Sequence, residues 1–120
     1  MKILFKYPRL KQEWITLLRL NPKLVFIVLY LADRVQEITI TEIFRTEKMQ
    51  RVYYPDNKTS ESVHQYWRGV DGRMKGYNNE KHNNAIAEIN STFPYGKKRI
   101  QTALIHNIGK GNHWHLQTII

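Results

Sequence analysis

Three stretches of the chain repeat their apolar residues at helical spacing, and three alternate or run as strands. Residues 11–20 set Trp14, Ile15, Leu17 and Leu18 at the spacing of one helix. Asn21-Pro22 then ends that helix and starts another, with Asn as cap and Pro at the first helical position. This second helix, about 22–36, carries the run Leu24, Val25, Phe26, Ile27, Val28, Leu29. A helix that is apolar all round is expected to be largely buried. Ile38 to Phe44 begins as an alternation and reads as a strand. Residues 46–62 are polar, with a turn at Pro55-Asp56-Asn57. Ala85, Ile86 and Ile89 mark a third helix over about 79–92. Thr102–Ile108 and His113–Ile119 read as two strands joined by a hairpin turn at Gly109-Lys110-Gly111-Asn112. The pattern predicts an α+β domain over residues 1–120, with an antiparallel-rich sheet, a C-terminal hairpin and flanking helices.

Composition narrows the chemistry. With 120 residues, one core is enough. There are no cysteines, which excludes disulfide scaffolds, thiolate zinc fingers, iron–sulfur clusters and cysteine nucleophiles. Metal binding is left to histidine and carboxylate. The net charge is +9, and its excess sits towards the two ends. Such a chain is drawn to polyanions: nucleic acid, an anionic membrane or an anionic cell wall. The longest apolar run, Leu24 to Ala32, is far short of the ~18–20 residues that cross a bilayer, and it lies too deep in the chain to read as a signal peptide. Asn57-Lys58-Thr59 and Asn90-Ser91-Thr92 are read as chance matches to a glycosylation pattern.

Five histidines carry the candidate chemistry. On a strand, His113 and His115 face one side with Gln117, and Trp114 and Leu116 face the core. His64 and Asp71 are too far apart to share an ion on a straight helix (~10 Å) or a straight strand (over ~20 Å). The segment between them must fold back, and Gly69 is placed to allow the bend. Taken singly, the first feature also reads as surface histidines and the second as a polar loop. Together, His64, Asp71 and His115 offer two imidazoles and one carboxylate. That set suits zinc and leaves a fourth position for water, whose pKa on the metal drops to about 7. His106 either touches this site or packs. His82 reads as a surface residue. Tyr53, Tyr54, Tyr66, Trp67 and Tyr77 crowd the neighbouring loops, as a cleft lining or as anchors over the core.

Residues 36–118 resemble the LAS group of zinc peptidases, which includes D-Ala-D-Ala carboxypeptidases and phage endolysins that cut peptidoglycan peptides. The first motif of that group is Ser-x-His-x-x-Gly-x-Ala-x-Asp, matched here by Ser62, His64 and Asp71. The second is His-x-His, matched by His113-Trp114-His115 and followed by Leu116-Gln117. Upstream, Arg45-Thr46 and Gln50 match a variant of the group's Gly-Tyr-Arg-Thr…Gln. The resemblance implies a hedgehog/DD-peptidase-like fold with residues 1–35 as a helical N-terminal part. It implies one zinc ion per chain, on His64, Asp71 and His115, with zinc-bound water as nucleophile. His113 would stand beside that water or the oxyanion, and Arg45 would hold a substrate carboxylate or the oxyanion. Gln50, Ser62, Tyr66 and Trp67 would contact the substrate. The expected partner is a peptidoglycan peptide, with no nucleic acid, no membrane span and a monomer favoured. A lysin made in the cytoplasm and acting on the wall after release fits a short chain with no signal peptide.

The chain departs from the group's pattern at three places. Trp67 stands where Gly is usual, Gly69 where Ala is usual, and Asn112 where many members place a catalytic acid. A family member that binds zinc or wall peptides without cutting them is therefore the second expectation. A basic nucleic-acid-binding module is the third, without a recognised base-reading motif.

Overall fold

The structure, a computed structural model, describes residues 1–107 and 111–119. Five strands form one mixed sheet: β1 (Lys2–Phe5), β2 (Glu37–Glu42), β3 (Gly69–Arg73), β4 (Ala103–Asn107) and β5 (Asn112–Gln117). Their order is β1-β2-β3-β5-β4. β1 and β2 run parallel, and every other pair is antiparallel. A parallel pair needs a long crossover. Two helices supply it, α1 (Arg9–Leu20) and α2 (Pro22–Val35). A short helix α3 (Glu47–Tyr53) follows β2, and α4 (Asn79–Thr92) links β3 to β4. The expected α+β domain is what folds, with one strand more at each of two places: β1 and β3 have no counterpart in the pattern.

Local signals placed α2 and α4 closely. Asn21 caps α2, its side-chain oxygen accepting the Leu24 N–H, and Pro22 opens the helix. Asn78 caps α4 in the same way, accepting from Lys81. Inside the predicted polar stretch 46–62, Thr46 caps α3 through the Met49 N–H. Seven residues were too short a run to reveal a period.

The core lies between one face of the sheet and the pair α2 and α4. Ile38, Ile40, Val70, Trp114, Leu116 and Ala103 come from the sheet, and Leu24, Ile27, Val28, Leu31, Ala85 and Ile89 from the helices. Two expectations about burial need correcting. Phe26 on α2 is exposed and meets Phe93 edge-on at 5.8 Å, because α2 is covered on the sheet side and by α4 but not all round. On α1, Leu17 is buried and Trp14 packs partly, whereas Ile15 and Leu18 face outward. Gly72 is required by packing. A Cβ there would lie 1.8 Å from Trp114 Cζ2, so the indole crosses the strand where the side chain is missing. Of the predicted hairpin turn at Gly109-Lys110-Gly111-Asn112, Gly109 and Lys110 lie outside the described residues.

Candidate metal centre

Strand alternation sorts the sheet into two chemistries. Trp114 and Leu116 point into the core, as expected, and His113, His115 and Gln117 share the other face. Cross-strand register brings Asp71 directly opposite His115 and Arg73 opposite His113. On the far side of β5, His106 is opposite His113. One sheet face thus collects Asp71, His115, His113 and His106 from three adjacent strands.

His64 reaches this face from outside the sheet. It sits in a single 3-10 turn, Val63–Tyr66, whose start is tied by Ser62: the His64 N–H donates to Ser62 Oγ (3.2 Å) and the Ser62 N–H to Gln65 Oε1 (2.8 Å). The chain then reverses at Trp67, which takes a left-handed conformation at φ 57°. The bend is therefore made at Trp67 and not at Gly69. Asn21 holds the bend, its side-chain amide donating to the Trp67 carbonyl (3.0 Å). The role of Gly69 is room. A Cβ there would lie 2.5 Å from Val63 and within 3.3 Å of the His64 and His115 rings.

His64, Asp71 and His115 come together as a buried group. His64 Nε2 is 3.1 Å from Asp71 Oδ2, and His115 Nδ1 is 2.5 Å from Asp71 Oδ1. One ligand atom from each lies within 4.8 Å of the other two, so the group could hold a metal ion. The far nitrogen of each ring is held as well. His64 Nδ1 donates to the Ile43 carbonyl (3.0 Å). His115 Nε2 donates to Gln117 Oε1 (3.0 Å), and the Gln117 amide is itself oriented by donating to the Gln101 carbonyl (2.8 Å). Acceptors of this kind set the tautomer that turns a ring's free nitrogen toward a metal. Gln117 is thus a site residue that strand alternation had already put on this face.

Charge follows from the burial. Burial works against an ionised Asp71, but the His64 charge and the hydrogen bonds from both imidazoles outweigh it and hold the carboxyl well below its usual range. Burial likewise opposes a charged His64, and Asp71 with Glu42 overcomes it, leaving the imidazole raised above its ordinary value.

Glu42 is the residue that sequence periodicity misses. In plain alternation Glu42 would follow Ile38 and Ile40 into the core. Instead the pairing of β2 with β3 slips between Ile40 and Glu42, so Ile40 faces Gly72 and Glu42 faces Asp71. A bulge of this kind re-aims a side chain. Glu42 Oε2 ends 3.8 Å from His64 Nε2. Arg45 grips the carboxylate with two donors, Nε to Oε1 (2.8 Å) and Nη2 to Oε2 (2.6 Å). Its third nitrogen, Nη1, donates to Gln50 Oε1 (2.7 Å), and Gln50 donates to Ser60 Oγ (3.1 Å).

Of the three, Asp71 lines a cleft of about 670 Å³, and His64 and His115 lie behind it. Asp71, His113, Glu42, Arg45 and Tyr53 line it, with Lys6, Arg9, Arg73 and Lys75 adding positive charge. Of the residues expected to touch a substrate, Arg45 is on this wall, but its fork is engaged by Glu42. Gln50 is buried behind Arg45, and Ser62 serves the turn that carries His64. Tyr66 is exposed, and Trp67 stacks on Phe44 at 4.7 Å; neither lines the cleft. Tyr77 does, beside its hydroxyl contact with Thr39 (2.6 Å). His82, expected at the surface, is buried at 1% exposure, its Nδ1 against the Asn78 carbonyl (2.9 Å), because α4 turns that position onto Tyr77. Asn112 opens β5 and also lines the cleft. No helix among the described residues is long and apolar enough to cross a membrane. No protein-family model, curated protein or solved structure significantly matches the chain.

Proposed function

We propose that the chain is a zinc peptidase that hydrolyses peptide bonds in bacterial peptidoglycan, with His64, Asp71 and His115 as the ligands of one zinc ion. The observation that carries this reading is the buried group itself, in which both imidazoles have their far nitrogens held by acceptors. Two neutral imidazoles and one carboxylate are a zinc set with an open position, and a zinc ion there would polarise a carbonyl and activate water.

The other side chains divide the remaining work. His113, whose Nε2 is 3.9 Å from Asp71 Oδ2, stands at the cleft edge of the group and is placed to exchange a proton with a reacting peptide. Asn112 cannot act as an acid or base. The cleft has two carboxylates, Asp71 and Glu42, so Glu42 is the one left to move a proton if Asp71 binds the metal. Arg45 orients Glu42 with its two-donor grip. Lys6, Arg9, Arg73 and Lys75 favour a peptide that carries carboxylates, as wall stem peptides do.

The test is zinc-loaded protein against a panel of purified peptidoglycans, read as released amino groups. Cleavage that a chelator stops and zinc restores, and that His64→Ala lacks, is expected. A zinc-loaded wild type that cuts no member of the panel overturns the enzyme reading. Retained wall-peptide binding in that case would favour the non-cutting relative that Asn112 already suggests.

A further inference from the structure

The three proposed ligands do not exhaust the donors on this sheet face. His106 on β4 and His113 on β5 are direct cross-strand partners, with ring centroids 4.0 Å apart. His113 Nε2 reaches to 3.9 Å from Asp71 Oδ2. One nitrogen of each ring and one Asp71 oxygen fall within 4.8 Å of one another, so Asp71, His106 and His113 make a second group able to hold a metal ion. His106 also turns Nε2 inward, where it is buried and has no hydrogen-bond partner. A buried ring nitrogen without a partner is a cost that a protein rarely keeps without a use.

Asp71 joins the two groups. Its Oδ1 meets His115, and its Oδ2 is approached by His64 and His113. Carboxylate-bridged pairs of ions, ~3.5–4 Å apart, are a known arrangement in hydrolytic sites. We propose that the chain holds a second divalent ion on Asp71, His106 and His113, with Asp71 bridging it to the ion on His64, Asp71 and His115. The second ion binds more weakly. One bridging carboxylate cannot neutralise two divalent charges, and the two other donors, His106 and His113, would bring no charge as ligands and are less buried than His64 and His115. It enters from the cleft, which His113 lines. At high metal concentration His113 becomes a ligand and is withdrawn from proton transfer, so excess metal inhibits turnover. The inference shares Asp71 with the proposed function and rests on that reading of the first site.

Equilibrium dialysis of the stripped full-length chain against zinc chloride tests it, with the ions counted per chain for wild type, His106→Ala, His106→Asn and His64→Ala. The wild type is expected to bind two ions, the second at least ~10-fold more weakly. Both His106 variants should bind one, with the tight affinity kept, which also shows that they fold. Cobalt-loaded wild type should show a spin-coupled signal that the His106 variants lack. One ion in the wild type at saturating zinc overturns this inference and leaves the first site standing. Two ions in the His106 variants overturn it as well. No ion in the wild type defeats both readings.

Discussion

The two faces of the sheet are built from the same strands and do opposite things. On the helix side, Ile38, Ile40, Val70, Trp114 and Leu116 are buried among apolar neighbours, and each contributes through burial. On the other side stand Asp71, His113 and His115, one residue along from Val70, Trp114 and Leu116, and Glu42, which the register slip brings there. These are charged or titratable groups held close together, with burial opposing the charge on Asp71 and His64. The first face stabilises the fold and tolerates no change of shape. The second gathers buried polar groups that depend on one another as partners.

The sharpest way to test that contrast is to strike the core face. Gly72→Ala would drive a methyl group into the Trp114 ring, and Trp114→Ala would empty the centre of the core. A Trp→Ala change in a core costs about 3–5 kcal/mol, a large part of a small domain's stability. Both variants should unfold at much lower denaturant than wild type, with or without zinc. If Gly72→Ala unfolds where the wild type does, the indole does not cross the strand at that glycine.

The same kind of change on the other face should split the two readouts. Asp71→Ala should keep a cooperative transition and lose the thermal upshift that zinc brings. That upshift corresponds to about 2.7 kcal/mol when zinc is at 100 times its dissociation constant. An Asp71→Ala protein still stabilised by zinc would take the ion away from this group.

A smaller effect separates ligand from support. Gln117→Ala removes the acceptor of the His115 N–H and touches no metal. Loss of such a partner lowers metal affinity by about 10–100-fold. Zinc affinity by competition with a chromophoric chelator should fall in that range, with metal-free stability little changed. An unchanged affinity would show that His115 is oriented by its strand alone.

The smallest expected effect is the pH dependence of the metal-free chain. Asp71 is held low in the folded state, so its contribution is present above the ordinary carboxyl pKa of ~3.9 and is lost as pH falls through the folded value. His64 is raised, so its contribution is present below ~6.5 and is lost as pH rises through the folded value. Melting in chelator should therefore weaken from about pH 6 toward alkaline pH. Zinc competes with the same protons, so its upshift should grow over that interval. A metal-free chain that grows more stable from pH 6 to 8 would contradict the charged His64–Asp71 contact.

Much of the fold was legible because it is local. Asn21-Pro22 writes the start of α2 within one turn, and the apolar spacing of Ala85, Ile86 and Ile89 suffices to place α4. The face shared by His113, His115 and Gln117 follows from a period of two, whatever the partner strands are. The grouping of His64, Asp71 and His115 was legible in another way, from motif order and a donor set that only a fold-back could unite. β1 escaped notice because four residues carry little pattern, and its pairing partner lies over thirty residues away.

What tertiary structure alone decided is where pairing overrides periodicity. The slip between Ile40 and Glu42 depends on the register of β2 against β3, and it moves a carboxylate from the core side to the face that carries Asp71 and His115. The grip of Arg45 on Glu42, in place of an expected free guanidinium, is a consequence of that slip. Gly69 and Gly72 look alike in the sequence, yet one clears space for two imidazoles and the other for an indole. A residue's own preferences determine which element it joins and which way it alternates. Which neighbour then meets it across a strand, and whether there is room for both, is settled only when distant segments pack.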